Sequence, residues 1–158
     1  MERALACASA AQPAWDQRTS EERAGVLERA ADLFEAHRAE LICRCVREAG
    51  RTVPDSAAEV REAIDFLRYY ALQARTLSTP SLLVGPTGER NTLRVRGRGV
   101  FACISPWNFP VSIFVGQVSA ALVTGNAVVA KPAEQTPLTA ALAVDLLHRA
   151  AGRFFPHQ

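Results

Sequence analysis

Two short, unbroken apolar runs, each leading straight into a proline-bracketed turn, constrain this chain more than any other feature. Val100-Phe101-Ala102-Cys103-Ile104 enters Ser105-Pro106-Trp107-Asn108-Phe109-Pro110. Ala127-Val128-Val129-Ala130 enters Lys131-Pro132-Ala133-Glu134. Continuous apolar runs of this length are expected of strands buried on both faces. Between them, Phe114 to Thr124 is apolar with small residues and ends at Gly125-Asn126, which predicts a helix. Strand, helix, strand is the βαβ unit of a parallel sheet, so the expected class is α/β. Thr136-Pro137 then predicts the cap of a further helix through Leu138, Leu142, Leu146, Leu147 and Ala150.

The first half of the chain carries the helical period instead. Ala-rich residues before Trp15 predict a helix end, and the acid at Glu2 and the lack of a Leu-rich core argue against a signal peptide. Thr19, Ser20, Glu21 and Glu22 form a capping box. Val26, Leu27, Ala30, Leu33, Phe34 and His37 follow on one helical face. A second helix carries Leu41, Ile42, Cys45, Val46 and Ala49 and stops at Gly50. Thr52-Val53-Pro54-Asp55 restarts the chain into a long helix with Val60, Ala63, Ile64, Leu67, Tyr70, Ala71 and Ala74 on one stripe. Glu59, Arg61, Glu62, Asp65 and Arg68 are expected on its solvated faces. Thr76 to Arg90 contains Pro80, Gly85, Pro86 and Gly88 and reads as a connection. Leu93 to Arg96 alternates like a half-exposed strand, and Gly97 and Gly99 mark a bend or a close backbone approach.

At 158 residues the chain is long enough to bury a core, and 49% hydrophobic with 22% charged residues is a globular balance. A net charge of +2, with arginines interleaved with acids, gives no case for nucleic acid. No apolar run is long enough to span a membrane. Cys43 and Cys45 do not face each other on a helix, and His37, His148 and His157 complete no metal set, so no metal site is expected. The four cysteines read as free thiols of a cytoplasmic protein. Cys103 lies inside an apolar strand, where a thiolate is costly, and is not a candidate nucleophile.

The chemistry sits in the two turns, because ligands of open α/β sheets bind at the carboxyl ends of parallel strands. Pro106 and Pro110 stiffen the first turn. Asn108 offers a neutral amide donor there, either to a developing oxyanion or simply to its own backbone as a turn closure. In the second turn Lys131, the chain's one lysine, stands near Glu134. That pair suits the hydroxyls of a ribose, or forms an ordinary surface ion pair. The chain contains neither G-x-G-x-x-G nor a P-loop.

ISPWNFP at 104–110, GN at 125–126 and KPAEQTP at 131–137, in that order and spacing, resemble the aldehyde dehydrogenase superfamily. REAG at 47–50, EVREAIDFLRYYA at 59–71 and GPTGERN at 85–91 are similar to its L-glutamate γ-semialdehyde dehydrogenase branch, as found in bifunctional proline utilization proteins. The likeness covers roughly residues 1–150. It implies the N-terminal part of that fold: a helical layer at 1–84, a connection and oligomerisation-type hairpin at 85–98, the first half of a Rossmann-like NAD-binding sheet at 99–151, and a divergent end at 152–158. It implies NAD-dependent oxidation of a small aldehyde to an acid, through a cysteine nucleophile and a glutamate base. On the motifs, Asn108 matches the oxyanion donor, and Lys131 and Glu134 the groups on the adenosine ribose. Ile104, Ser105, Pro106 and Trp107 match the cofactor wall, and Phe109 the aldehyde tunnel. The nucleophile, the base and the cofactor-loop glycines of the family have no counterpart in this sequence. The resemblance therefore implies an inactive piece of a homo-oligomeric enzyme, with FAD belonging only to a separate proline dehydrogenase domain. The alternatives are another aldehyde dehydrogenase, such as a succinate semialdehyde enzyme, or a non-enzymatic relic that docks through its sheet edge.

Overall fold

The structure, a computed structural model, describes residues 1–152; residues 153–158 of the expected divergent end lie outside the described residues. Helices α1 (Glu2–Asp16), α2 (Ser20–Ala36), α3 (Arg38–Ala49) and α4 (Val53–Leu77) come first. The short strands β1 (Ser81–Leu83) and β2 (Asn91–Leu93) follow, then β3 (Val100–Ile104), α5 (Ser112–Val123), β4 (Ala127–Lys131) and α6 (Pro137–Ala151).

Local signals account for the helix ends at Thr19, Gly50 and Thr52. The Thr19 Oγ accepts the Glu22 amide at 3.2 Å while Glu22 accepts the Thr19 amide at 2.8 Å, which is a complete capping box. Gly50 takes φ 65°, the left-handed conformation that ends α3, and Thr52 accepts the Asp55 amide at 3.3 Å to start α4. One cap differs from expectation. Thr136 makes no side-chain cap on α6, and the first amides of that helix go instead to Glu48 of α3.

The core lies among α2, α4, α5 and α6, where Leu27, Phe34, Leu67, Phe114 and Leu146 are almost wholly buried. Helices α1 and α5 pack on the sheet, and the Trp15 indole ties α1 to α5 by donating to the Leu122 carbonyl at 2.7 Å. Arg23 is a buried exception among the arginines: it donates to the carbonyls of Val123 (2.9 Å) and Asp16 (3.1 Å), joining α2 to both neighbours.

Strands β3 and β4 pair in parallel with α5 as the connection, as the two apolar runs predict. Their burial does not match that prediction. Phe101 and Ile104 are 44% and 67% exposed, Cys103 is the one buried residue of β3, and Val128 to Ala130 are half-buried. The described residues cover β3 only in part, so its apolar run leaves side chains open to solvent. The strand expected at Leu93 to Arg96 is also shifted. It ends at Leu93 and pairs antiparallel with Ser81–Leu83, within a segment that reads as connection from its prolines and glycines. This two-stranded ribbon is exposed on nearly every residue, so no alternation marks it.

Gly97 passes the Gly125 carbonyl so closely that a Cβ would sit 2.4 Å from the oxygen, the close approach that its glycine signals. Asp16 accepts the Gly97 amide at 3.0 Å. Asn126, buried, accepts the amides of Arg98 (2.5 Å) and Gly99 (3.1 Å) and donates to Ala121 and Thr124. The GN pair is thus a clasp that sets where β3 begins beside β4.

Candidate functional site

The register of the parallel pair brings the two turns together. Ile104 is the partner of Lys131, and the Ser105 amide donates to the Lys131 carbonyl at 3.2 Å, extending the ladder by one step. Neighbouring strands run about 4.8 Å apart, so both turns leave the sheet side by side at its carboxyl edge. Ser105 is buried, whereas Ile104, Trp107, Asn108, Lys131 and Glu134 are exposed and Pro106 and Phe109 are half-buried. Clefts on the hairpin side, one lined by Leu82, Arg90 and Arg94 and another by Arg18, Arg23 and Arg96, share no residue with the turns. The candidate site is an open wall.

The first turn is held from the helical layer. Glu59 projects from α4, and its Oε1 accepts the Val111 amide at 2.8 Å and the Ser112 amide at 3.3 Å. These are orphan donors at the start of α5, which has no cap of its own. Arg51, in the short link between α3 and α4, places its Nε 3.1 Å from the Glu59 Oε2. The two atoms lack hydrogen-bond alignment, so the contact is an ion pair. The Arg51 Nη1 donates to the Asn108 carbonyl, and its guanidinium lies 4.5 Å from the centre of the Phe109 ring. Burial raises the Glu59 carboxyl pKa, while the two amides and Arg51 pull it back down. This corrects the expected solvated face: Arg61, Glu62, Asp65 and Arg68 are exposed, but Glu59 is buried. The period carried the signal, since Glu59 precedes Ala63 by four residues and adjoins Val60, both on the buried stripe.

The Asn108 side chain makes no hydrogen bond among the described residues, so the turn is closed through its carbonyl and not its amide. Its NH₂ is free toward solvent. In the second turn, no ion pair joins Lys131 to Glu134 among the described residues. The turn is anchored behind them by Glu48, which accepts the Leu138 amide at 2.9 Å, the Thr139 amide at 2.6 Å and the Thr139 hydroxyl. The Lys131 ammonium and the Glu134 carboxylate, three residues apart and both exposed, can hydrogen-bond hydroxyl groups of a ligand, whereas an anion at the start of α5 or α6 would meet a carboxylate already there. Burial raises the Cys103 thiol pKa and pushes that of Cys45 up to about 12, which disfavours the thiolate at both.

The chain is 47% identical over 147 residues to the bifunctional protein PutA of Escherichia coli K12, covering 93% of this chain and 10% of that protein. It is 40% identical over 149 residues to 1-pyrroline-5-carboxylate dehydrogenase 1 of Halalkalibacterium halodurans, covering 94% and 29%. A crystal structure of Bradyrhizobium japonicum proline utilization A superposes with a TM-score of 0.94 at 52% identity, over 96% of this chain and 16% of that one. A Thermus 1-pyrroline-5-carboxylate dehydrogenase with bound NAD superposes at 0.92 with 37% identity, over 96% and 30%. The chain thus spans about a tenth of the curated bifunctional relatives and under a third of the shorter one. A sequence model of the aldehyde dehydrogenase family matches residues 1–156, past Ala150, and with these likenesses it identifies the chain as a member of the aldehyde dehydrogenase family.

Proposed function

We propose that this chain supplies the oxyanion donor and the ribose-binding wall of an NAD-dependent L-glutamate γ-semialdehyde dehydrogenase, which converts the semialdehyde to L-glutamate. The observation that carries the reading is the Ile104–Lys131 register, which sets the Asn108 turn and the Lys131–Glu134 turn side by side at the carboxyl edge of a parallel sheet. The relatives named for 1-pyrroline-5-carboxylate dehydrogenase and for proline utilization support the substrate class. The Thermus relative with bound NAD supports the cofactor.

In this reading the Asn108 NH₂ donates to the aldehyde oxygen as negative charge develops on it, and Phe109 lines the approach. Lys131 and Glu134 hold the adenosine ribose, with Ile104, Ser105, Pro106 and Trp107 forming the wall beside the cofactor. NAD, when bound, accepts the hydride. The cysteine nucleophile and glutamate base are not among these residues, so the chain alone is inactive and works as part of a larger, homo-oligomeric cytoplasmic enzyme.

Two measurements test this. The purified chain, mixed with L-glutamate γ-semialdehyde and NAD, is expected to produce no NADH; turnover above the uncatalysed background refutes the divided site. Titration with adenosine, followed by nuclear magnetic resonance, is expected to shift Lys131 and Glu134 with a Kd of about 1 mM or weaker. Shifts confined to other residues refute the ribose assignment.

A further inference from the structure

Arg51 has no place in the proposed chemistry, yet its guanidinium makes two separate contacts with the turn that presents Asn108 and a third with Glu59 of α4. Its Nε faces Glu59 at 3.1 Å, its Nη1 donates to the Asn108 carbonyl, and its plane lies 4.5 Å from the centre of the Phe109 ring. Among the described residues, that bond to Asn108 is the one side-chain hydrogen bond reaching residues 106–110. The turn is exposed at Trp107 and Asn108 and extends from a sheet whose ladder ends at Ser105. Its two prolines restrict φ at Pro106 and Pro110, and Pro110 also disfavours the helical region at Phe109, but neither restrains Trp107 or Asn108.

Arg51 itself is well anchored. Gly50 on one side is the left-handed stop of α3, and Thr52 on the other caps α4, so the backbone of the link is fixed at both ends. The Arg51 side chain is only 18% exposed and the Glu59 side chain is fully buried. The Glu59 Oε1 is committed to the Val111 and Ser112 amides, which leaves Oε2 facing the guanidinium. A carboxylate fixed by backbone amides thus orients a planar cation, and the cation fixes the turn through the carbonyl of the residue that carries the functional amide. The planar fork matters, because an ammonium cannot face a carboxylate, donate to a carbonyl and lie over a ring in the same geometry.

We infer that Arg51 and Glu59 are positioning residues for Asn108: together they hold the Trp107–Phe109 turn in the one conformation that aims the Asn108 amide outward from the sheet edge. The inference rests on the reading of Asn108 as the oxyanion donor, but its test does not. Backbone order parameters of the isotopically labelled chain are measured for the wild type, Arg51→Met and Arg51→Lys, together with thermal unfolding. In the wild type, Trp107, Asn108 and Phe109 are expected near the rigid-backbone value of about 0.85. In Arg51→Met they are expected to fall below about 0.6, with α2, α4 and α6 unchanged. Arg51→Lys, which keeps the charge facing Glu59 but loses the fork, is expected to fall between the two.

A turn that stays rigid in both variants overturns the inference. A uniform loss of order across α2, α4 and α6, matching the loss of thermal stability, also overturns it, because Arg51 would then serve the fold as a whole. If Arg51→Met fails to fold, Arg51→Lys decides: selective loosening at 107–109 supports the inference and its absence refutes it. The two readings fail separately. A rigid turn in the variants leaves the Lys131–Glu134 adenosine titration untouched, and a failed titration leaves the order parameters untouched.

Discussion

Glu48 is a sensitive point in this fold, because one side chain on α3 replaces the N-cap that α6 lacks. Its carboxylate accepts the amides of Leu138 and Thr139 and the Thr139 hydroxyl. Glu48→Ala removes both acceptor oxygens and all three hydrogen bonds. Leu138 is 59% exposed, so water can replace the lost partner there at small cost. Thr139 is fully buried, and its amide and hydroxyl are left unpaired. A buried donor stripped of its acceptor costs about 1–3 kcal/mol, and losing an N-cap about 1 kcal/mol, with the two estimates overlapping in the same amides. The expected loss is therefore about 2–3 kcal/mol, which in a domain of this size lowers the Tm by roughly 4–12 °C. Glu48→Gln keeps an acceptor oxygen and is expected to lose about half as much. Urea and thermal unfolding give the stabilities, and amide hydrogen exchange at Thr139 localises the change. An alanine variant within about 0.5 kcal/mol of the wild type, with Thr139 exchange unchanged, would refute the claim that Glu48 caps α6.

Gly97→Ala is expected to destabilise by more than about 1 kcal/mol, since the new Cβ meets backbone, at 2.4 Å from the Gly125 oxygen, and not a side chain that can turn away; an unchanged midpoint in urea refutes that close approach. Asn108→Ala is expected to change stability by less than about 0.5 kcal/mol, because the amide it removes is exposed and unbonded; a loss above about 1 kcal/mol in thermal unfolding shows the amide to be structural. Cys45, whose pKa burial pushes up to about 12, stays protonated in the fold at pH values where an unfolded thiol ionises. Its contribution is complete below pH about 9 and is lost as pH rises from there toward 12. Cys45→Ala is expected to flatten that alkaline loss in a pH series of unfolding midpoints, and an equally steep loss in the variant refutes the assignment.

The parts of this architecture that could be read in sequence are those whose cause is local. The Thr19 box, the Gly50 stop and the two apolar runs each depend on residues within one turn or strand of each other. The pairing of those runs also follows, because a parallel βαβ unit leaves little choice for strands about twenty-seven residues apart. What escaped was set by distance. The partner of Glu59 lies 52 residues away at Val111, and that of Glu48 lies 91 residues away at Thr139. A glutamate on a helix looks the same in sequence whether it meets water or an orphan amide. Sheet burial failed for a related reason, since an apolar run reports that a strand can be covered, not what covers it.

These distant contacts also occupy amides at the starts of α5 and α6, where two βα turns leave the edge of a parallel sheet. Helix N-termini attract anions because their first amides are unpaired and the helix dipole favours negative charge. In α5 and α6 both attractions are already met from inside, by Glu59 and Glu48. A phosphate at either end would have to displace a carboxylate that is fixed by two amides. The helical layer therefore does more than bury the back of the sheet. By meeting both helix ends internally, it leaves the carboxyl edge with side chains as its offering: a neutral amide at Asn108, an ammonium at Lys131 and a carboxylate at Glu134, all exposed. An amide, an ammonium and a carboxylate can between them donate to and accept from oxygen groups without any helix-end amide.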